Sequence, residues 1–175
     1  MTNRIEIPFS KGFAIFGTLF LTGFVILFSY KYFYEDPRAM SNNDWLILVV
    51  LDTLSAGTCI YFIFKFLIPA LKGHPAIIIE KDTITDYVRN NSISWEDVKG
   101  FRLGSFGSFN YIGIELKEDN AFINQKRNVF KKLLMVNNRF FYGTPLLIPT
   151  QYVAGSDKKL LALFIIILKH AKKHS

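Results

Sequence analysis

Two long apolar stretches dominate the first third of the chain, and shorter apolar and polar runs alternate after them. The stretches cover residues 12–30 and 45–64, and neither contains Lys, Arg or Glu. Each approaches the roughly 20 residues that an α-helix needs to cross a bilayer. Because hydrocarbon offers the backbone no water, both stretches are predicted to be helices, and the polar link at 31–44 makes them antiparallel. The pattern predicts a transmembrane hairpin with spans at about 12–34 and 45–68.

The basic residues around this hairpin predict its orientation. Two lie in the link, Lys31 and Arg38, whereas five precede the first apolar stretch or follow the second: Arg4, Lys11, Lys65, Lys72 and Lys81. Cytoplasmic segments of membrane proteins carry the excess of Lys and Arg. No small-residue cleavage site follows the first stretch before Lys31, so it is expected to stay uncleaved. We expect a multi-pass inner-membrane protein with both termini in the cytoplasm.

The remaining 103 residues, 73–175, have the charge density of one ordinary domain, and residues 1–72 form the tail and hairpin. Short β-branched runs separated by turn residues predict a meander of strands. The clearest strand is 111–117, where Ile112, Ile114 and Leu116 alternate with other residues. The remaining strands are predicted at 76–80, 83–89, 92–95, 99–103 and 146–148.

Two helices are predicted in this second part of the chain. Apolar residues after Asn120 fall mostly at helical spacing until Gly143 and Pro145, which indicates a helix inserted between strands. A final helix follows Ser156, and its segment 160–168 is apolar all round. That helix is expected to be buried over much of its circumference.

Two segments extend this outline to a family resemblance. Ile93-Ser94-Trp95-Glu96-Asp97-Val98-Lys99-Gly100-Phe101 resembles the I-x-W-x-D-I segment of bacterial PH-like domains. Tyr142-Gly143-Thr144-Pro145-Leu146-Leu147-Ile148 resembles the segment before the last strand in one group of them. That group consists of small bacterial proteins with two N-terminal membrane helices and a PH-like domain with a helical insertion, and the resemblance covers nearly the whole chain.

The resemblance implies a membrane α+β fold: a two-helix transmembrane hairpin, then a PH-like β-barrel or sandwich with an inserted helix and a C-terminal capping helix. It carries over no activity. Phosphoinositide-binding PH domains place a basic cluster around their first hairpin loop, and the corresponding loop here is predicted to be Lys81-Asp82. The headgroup site of those relatives is therefore not expected, and the fold by itself assigns no function.

Charge and amphipathicity suggest one contact surface. Between 73 and 175 there are 15 basic and 9 acidic residues, a net charge of +6, which suits a domain beside anionic lipid better than one that binds nucleic acid. The inserted helix has a basic side over an apolar side, typical of a membrane-surface or partner-binding helix and also of an ordinary surface helix. The candidate contacts are Lys126, Arg127, Lys131, Lys132 and Arg139.

A second candidate lies inside the hairpin. Asp52 is an ionisable residue within a predicted span, a common mark of ion or proton paths. Alternatively it is a polar clasp at the depth of Thr22 and Gly23, with Ser55, Ala56 and Cys59 extending the same small-residue face. Homo-oligomerisation through this face is a third possibility.

No residue pattern supports catalysis, a metal site or a cofactor. The only cysteine, Cys59, lies in a span, and no pair of histidines shares a helix face. The loop at 104–109 contains two glycines and two phenylalanines but lacks the lysine of a phosphate-binding loop, so a plain hairpin connection or a lipid-dipping tip is expected.

These observations lead to two functional hypotheses. The first is an inner-membrane protein with a non-catalytic PH-like module that binds a protein partner or the membrane lipids. The alternative is an immunity or regulatory subunit whose transmembrane pair acts against a toxin or within a transport complex.

Overall fold

The computed structural model describes residues 4–34 and 42–173, which form two separate units. One unit is helical and covers the described part of 11–74. The other joins residues 4–10 with 75–173 and contains helices and antiparallel sheets, so the fold is α+β. Arg38 of the link, used above to predict orientation, lies outside the described residues.

The helical unit contains two long apolar helices. Helix α1 is Lys11–Tyr34, and α2 is Asn42–Phe62, which continues through a π-helical turn at Ile63–Leu67 into α3, Ile68–Leu71. Because Pro69 has no N–H to donate, the wider turn before it accommodates the missing hydrogen bond. By length and composition, Lys11–Lys31 and Asn43–Leu71 are each sufficient to cross a membrane, with mean hydropathies of 2.1 and 2.0.

Small and polar side chains form the seam between α1 and α2. Thr22 Oγ1 lies 3.6 Å from Cys59 Sγ, and Ser29 donates to Asp52 at 3.2 Å. A Cβ on Gly17 would lie 2.6 Å from the Phe62 ring, so only glycine allows this close approach. These pairs define a single antiparallel register.

The second unit has seven strands in two antiparallel sheets. The first sheet has the order β1 to β4, and the second has the order β5 to β7. The strands are β1 Ile5–Pro8, β2 Pro75–Ile79, β3 Thr83–Asp86, β4 Asn91–Ser94, β5 Val98–Phe106, β6 Phe109–Leu116 and β7 Leu146–Pro149.

Strand β1 was missed from the sequence. The tail was assigned with the hairpin in segment 1–72, yet Ile5 pairs with Ile79 and Ile7 with Ile77. Residues 4–10 therefore belong to the same unit as 75–173. Helices α1 to α3 are consequently an insertion between two neighbouring strands of one sheet.

The core of this unit lies between the sheets and the last helix, α6, which is Asp157–Lys173. Leu160, Phe164 and Leu168 are buried, and the Phe164 ring stacks on Phe101 at 5.1 Å. The alternation predicted for β6 is confirmed, since Ile112, Ile114 and Leu116 are all buried. The prediction for α6 was too broad: Ile165 and Ile166 are exposed, so one face packs.

The insertion between β6 and β7 contains two helices where one was predicted. Helix α4 is Asp119–Asn124, and α5 is Val129–Tyr142. Asn128 separates them because its side chain caps α5, accepting a hydrogen bond from the Lys131 N–H at 3.1 Å. Gly143 ends α5 in the left-handed conformation, with φ +68°.

The β1 pairing yields a test. The Ile7 side chain of β1 is buried. Ile7→Ala is therefore expected to lower the free energy of unfolding of the full chain in detergent by about 2–5 kcal/mol. Glu6→Ala is the control, because Glu6 is exposed and forms an ion pair with exposed Arg4, so a change within about 0.5 kcal/mol is expected. Equal effects of the two substitutions in chemical denaturation would contradict the pairing.

Candidate functional site

Helix α5 exposes its apolar face. Leu133 is 65 % exposed and Phe140 81 %, and both lie on the apolar side of the helix. Only Met135 is buried along the whole helix. The exposed apolar residues are Val129, Phe130, Leu133, Leu134, Val136, Phe140 and Phe141. Singly exposed apolar residues are common, but a run along one helix marks an interaction surface.

The cationic residues of α5 turn towards the domain. The Lys131 ammonium donates to the Asn90 carbonyl at 2.9 Å, and Arg139 pairs with Asp119 at 3.4 Å and donates to the Asn120 side chain. Lys132 is half-buried. Of the two arrangements left open above, the ordinary surface helix with a packed apolar side and a free basic side is not the one that this helix adopts.

Lys126 and Arg127 lie in the connection between α4 and α5, not on a helix as predicted. The Lys126 ammonium sits 4.0 Å from the centre of the Phe122 ring, a cation–π contact. Burial lowers the pKa of Lys126, the charge of Lys131 lowers it further, and Asp97 opposes the shift. Arg127 is exposed and presents its charge to solvent.

Arg102 fixes the C-terminal end of α5 to the second sheet. Its guanidinium donates to the Tyr142 carbonyl, one of the acceptors that a helix leaves free at its end. A Cβ on Gly143 would lie 2.6 Å from this guanidinium, and one on Gly113 would lie 3.3 Å from Arg102 Cγ. The two glycines therefore make room for the arginine that holds α5.

The tip of the β5–β6 hairpin adds two more exposed aromatic residues next to the end of α5. The segment predicted as a loop at 104–109 is paired strand up to Phe106 and Phe109, with a two-residue turn at Gly107, φ +58°. Phe106 and Phe109 are both exposed, and the Phe106 ring lies 5.8 Å from that of Tyr142. We call the exposed apolar residues of α5, together with Phe106 and Phe109, the apolar surface.

Strand register places the β3–β4 turn, which contacts α5, at the same end of the domain as Pro8 and Pro75. Pro8 and Pro75, from which the chain leaves for the helical unit and returns, pair at that end of the first sheet. The β3–β4 turn lies there too, since the Tyr87 N–H donates to the Ala76 carbonyl. That turn contains Asn90, the partner of Lys131.

The β5–β6 tip lies at the same end. The Ser10 N–H donates to the Tyr152 carbonyl at 2.9 Å, and Thr150, two residues earlier, donates to the carbonyl of Asn110 at 3.2 Å. Asn110 directly follows Phe109 of the tip. Ser10, the residue before α1, is thus linked to the tip through two hydrogen bonds, Ser10 to Tyr152 and Thr150 to Asn110.

Arg89 adds a cation at this end. Its side chain reaches solvent, yet neighbouring atoms desolvate the guanidinium. Burial lowers the pKa of Arg89, while Asp86, Tyr142 and Tyr152 act in the opposite direction. The turn that carries Arg89 therefore lies in the electrostatic range of both the end of α5 and the Tyr152 segment.

The hairpin candidates are placed differently from the prediction. Asp52 accepts hydrogen bonds from Ser29 at 3.2 and 3.4 Å, and Thr22, its expected neighbour, contacts Cys59 instead. Thr22 and Ser29 are seven residues apart, about two turns, so they share a face of α1, and Asp52 lies about two turns from the depth predicted for it. Ser55 is half-buried one turn after Asp52 on this face.

Two open clefts occur elsewhere in the described domain. One of about 490 Å³ is lined by Arg4 and by the β2–β3 turn, residues 80–83, and one of about 210 Å³ lies between α4 and the end of β6. Among described residues, no three His, Cys, Asp or Glu side chains converge as a metal site would need.

Comparison with models of protein families, with curated proteins and with solved structures found no match.

The apolar surface was missed although the apolar and basic residues of α5 lie on opposite sides of the helix. The spacing identifies an amphipathic helix but does not say which side meets the domain. The available signal is the aromatic content, since Phe130, Phe140 and Phe141 lie in a segment without acidic residues. Large aromatic residues beside cations are typical of interfacial helices.

The Asp52 contact can be tested with a double-mutant cycle. Ser29→Ala and Asp52→Leu in the full chain in detergent are expected to show a coupling of about 0.6 kcal/mol, as is usual for hydrogen bonds between apolar helices. Thr53→Ala replaces Ser29→Ala in the control cycle, because the Thr53 hydroxyl bonds the Val49 carbonyl of its own helix. Equal coupling in the two cycles would contradict the contact.

The orientation of α5 gives another test. Met135→Ala is expected to cost about 2–5 kcal/mol in unfolding free energy because Met135 is buried, whereas Phe140→Ala should change it by less than about 0.5 kcal/mol. Both variants are measured by chemical denaturation in detergent. A larger loss for Phe140→Ala would show that this ring is packed.

Proposed function

We propose that the protein is an integral membrane protein whose α1–α2 hairpin spans the bilayer and whose second unit is a non-catalytic, PH-like binding module. The observation that carries the proposal is the exposure of apolar side chains along α1 and α2. Only 6 % of the most apolar window of each helix is buried within the chain. A core helix of a soluble protein would be mostly buried, and apolar faces of this length require lipid or a partner to cover them.

The β1–β2 pairing supports insertion of both helices together. One strand precedes α1 and the other follows α2, and paired strands must lie on one side of a membrane. An odd number of crossings between them is therefore excluded, so both helices cross or neither does. Cleavage of α1 as a signal would also separate β1 from its sheet.

The flanking charges support a cytoplasmic domain. Arg4 and Lys72 flank the helices and Lys11 begins α1, all on the domain side, whereas Lys31 near the end of α1 and Arg38 in the link lie on the other side. The positive-inside tendency then favours both termini in the cytoplasm. The resemblance to small bacterial membrane proteins implies the inner membrane of a bacterium.

The strand order supports a PH-like module. Four consecutive antiparallel strands form one sheet, three more form a second, and a C-terminal helix packs against the second sheet. With β1 recognised, the first strand connection is the helical hairpin, and Lys81-Asp82 belongs to the second connection. The connection that holds the basic cluster in phosphoinositide-binding relatives would here hold the membrane anchor.

The contacts of Asp52 favour the binding module over a role centred on the hairpin. Ser29 supplies a hydrogen-bond donor to the carboxylate within the same hairpin. The seven residues between Ser29 and Thr22 place Asp52 about 10 Å along the helix from the Thr22–Cys59 pair, towards the link. A carboxylate partnered in this way suits a polar clasp between the two helices.

The proposed topology is tested by labelling single cysteines in intact bacterial cells. In a Cys59→Ser background, Ser41→Cys in the link should react with a membrane-impermeant maleimide, and Lys158→Cys in α6 should react only after permeabilisation. The reverse pattern would contradict the orientation. Reaction at both positions without permeabilisation, or loss of the protein from membranes in alkaline carbonate, would contradict insertion.

A further inference from the structure

The apolar surface has no cover within the described chain, and its position limits what can cover it. It adjoins the β3–β4 turn and the β5–β6 tip, which lie at the end of the domain where Pro8 and Pro75 lead to the helical unit. Only Phe9 and Ser10 separate β1 from α1, and only residues 72–74 separate α3 from β2. At roughly 3.5 Å per residue, the three steps from Pro8 to Lys11 reach about 10 Å at most, and the four steps from Leu71 to Pro75 about 14 Å.

The charges around the surface match an anionic membrane. Between 120 and 143 the chain contains five basic residues and no acidic residue, and 98–114 contains two basic residues and no acidic residue. Arg127 and Arg89 reach solvent beside the apolar residues. Cations that flank an exposed aromatic and aliphatic face suit the boundary between anionic headgroups and acyl chains.

The internal contacts of α5 fix which side of the helix is presented. Lys131, Arg139 and the Tyr142 carbonyl are all bonded to the rest of the domain, so rotating the helix to bury its apolar face would break three sets of polar contacts. The exposed face is therefore the stable arrangement of this helix.

We propose that the apolar surface, made of the exposed face of α5 and the tip residues Phe106 and Phe109, inserts into the headgroup–acyl boundary of the membrane that holds the hairpin, with a preference for anionic lipid. The proposal rests on the proposed function, since it requires the hairpin to anchor the domain. It identifies the module's ligand as the bilayer itself. It also assigns the contact to apolar residues, with the cations beside them acting as a rim.

The proposal is tested with the full chain reconstituted in vesicles of phosphatidylethanolamine and phosphatidylglycerol. A fluorophore is attached to Phe140→Cys or Phe106→Cys in the Cys59→Ser background, and a lipid carrying a spin label near the top of its acyl chain serves as quencher. Quenching at both positions should exceed that at Lys81→Cys by on the order of threefold, because interfacial helices sit about 5–10 Å deep. Lys81 is the control because it lies in the β2–β3 turn, at the opposite end of the first sheet from Pro8 and Pro75.

Several outcomes would overturn this inference. Quenching equal to that at Lys81, with the cysteine topology intact, would refute membrane contact by α5 while leaving the proposed function standing. Failure of the topology experiment would refute both. Quenching that disappears as protein is diluted in lipid, or disulfide formation between Phe140→Cys copies, would assign the surface to a second copy of the chain.

Replacing phosphatidylglycerol by phosphatidylcholine tests the charge preference. Weaker quenching in neutral vesicles is expected, since the cations around the surface lose their anionic partners. Unchanged quenching would refute the preference for anionic lipid. The double variant Leu133→Ser/Phe140→Ser, with the label at Phe106→Cys, provides a second test because it removes two exposed apolar side chains. Reduced quenching without loss of stability would support the proposal. Unchanged quenching would contradict it.

Discussion

The backbone hydrogen bonds between β1 and β2 are the constraint on which the rest of the structure depends. They join the segment before α1 to the segment after α2, so the two long helices must leave and re-enter the domain at neighbouring points. An antiparallel hairpin is the simplest path between such points, and the seam of Gly17, Thr22, Ser29, Asp52 and Cys59 matches that path. Strand pairing and helix packing therefore require the same topology.

The parts of the fold that depend on periodicity could be predicted from the sequence. Long apolar runs identified α1 and α2, and the alternation of Ile112, Ile114 and Leu116 identified β6, because burial on one side imposes a regular spacing. The face of Asp52 was predictable for the same reason. Its depth was not, because a shift of two helical turns leaves the same residues on the same face.

The features that could not be predicted depend on contacts distant in sequence. Four residues of tail at Ile5–Pro8 carry too weak a pattern to identify a strand whose partner lies beyond the hairpin. The orientation of α5 depends on the Asn90 carbonyl, on Asp119 and on the guanidinium of Arg102, none of which belongs to that helix. An amphipathic pattern describes both faces equally well until such anchors are known. Lys131 and Arg139, which were predicted to contact a membrane or a partner, instead hold the helix against the domain.

The separation of β1 and β2 along the chain also has a consequence for biosynthesis. Domains fold during synthesis from the N-terminus onward, yet β1 emerges before the helices and its partner emerges after them. Pro8 and Pro75 cannot pair until the whole intervening segment has been made, so the first sheet cannot nucleate at its own edge. Strand β1 can join the sheet only when the two ends of the hairpin are brought together. A completed first sheet therefore requires an assembled hairpin.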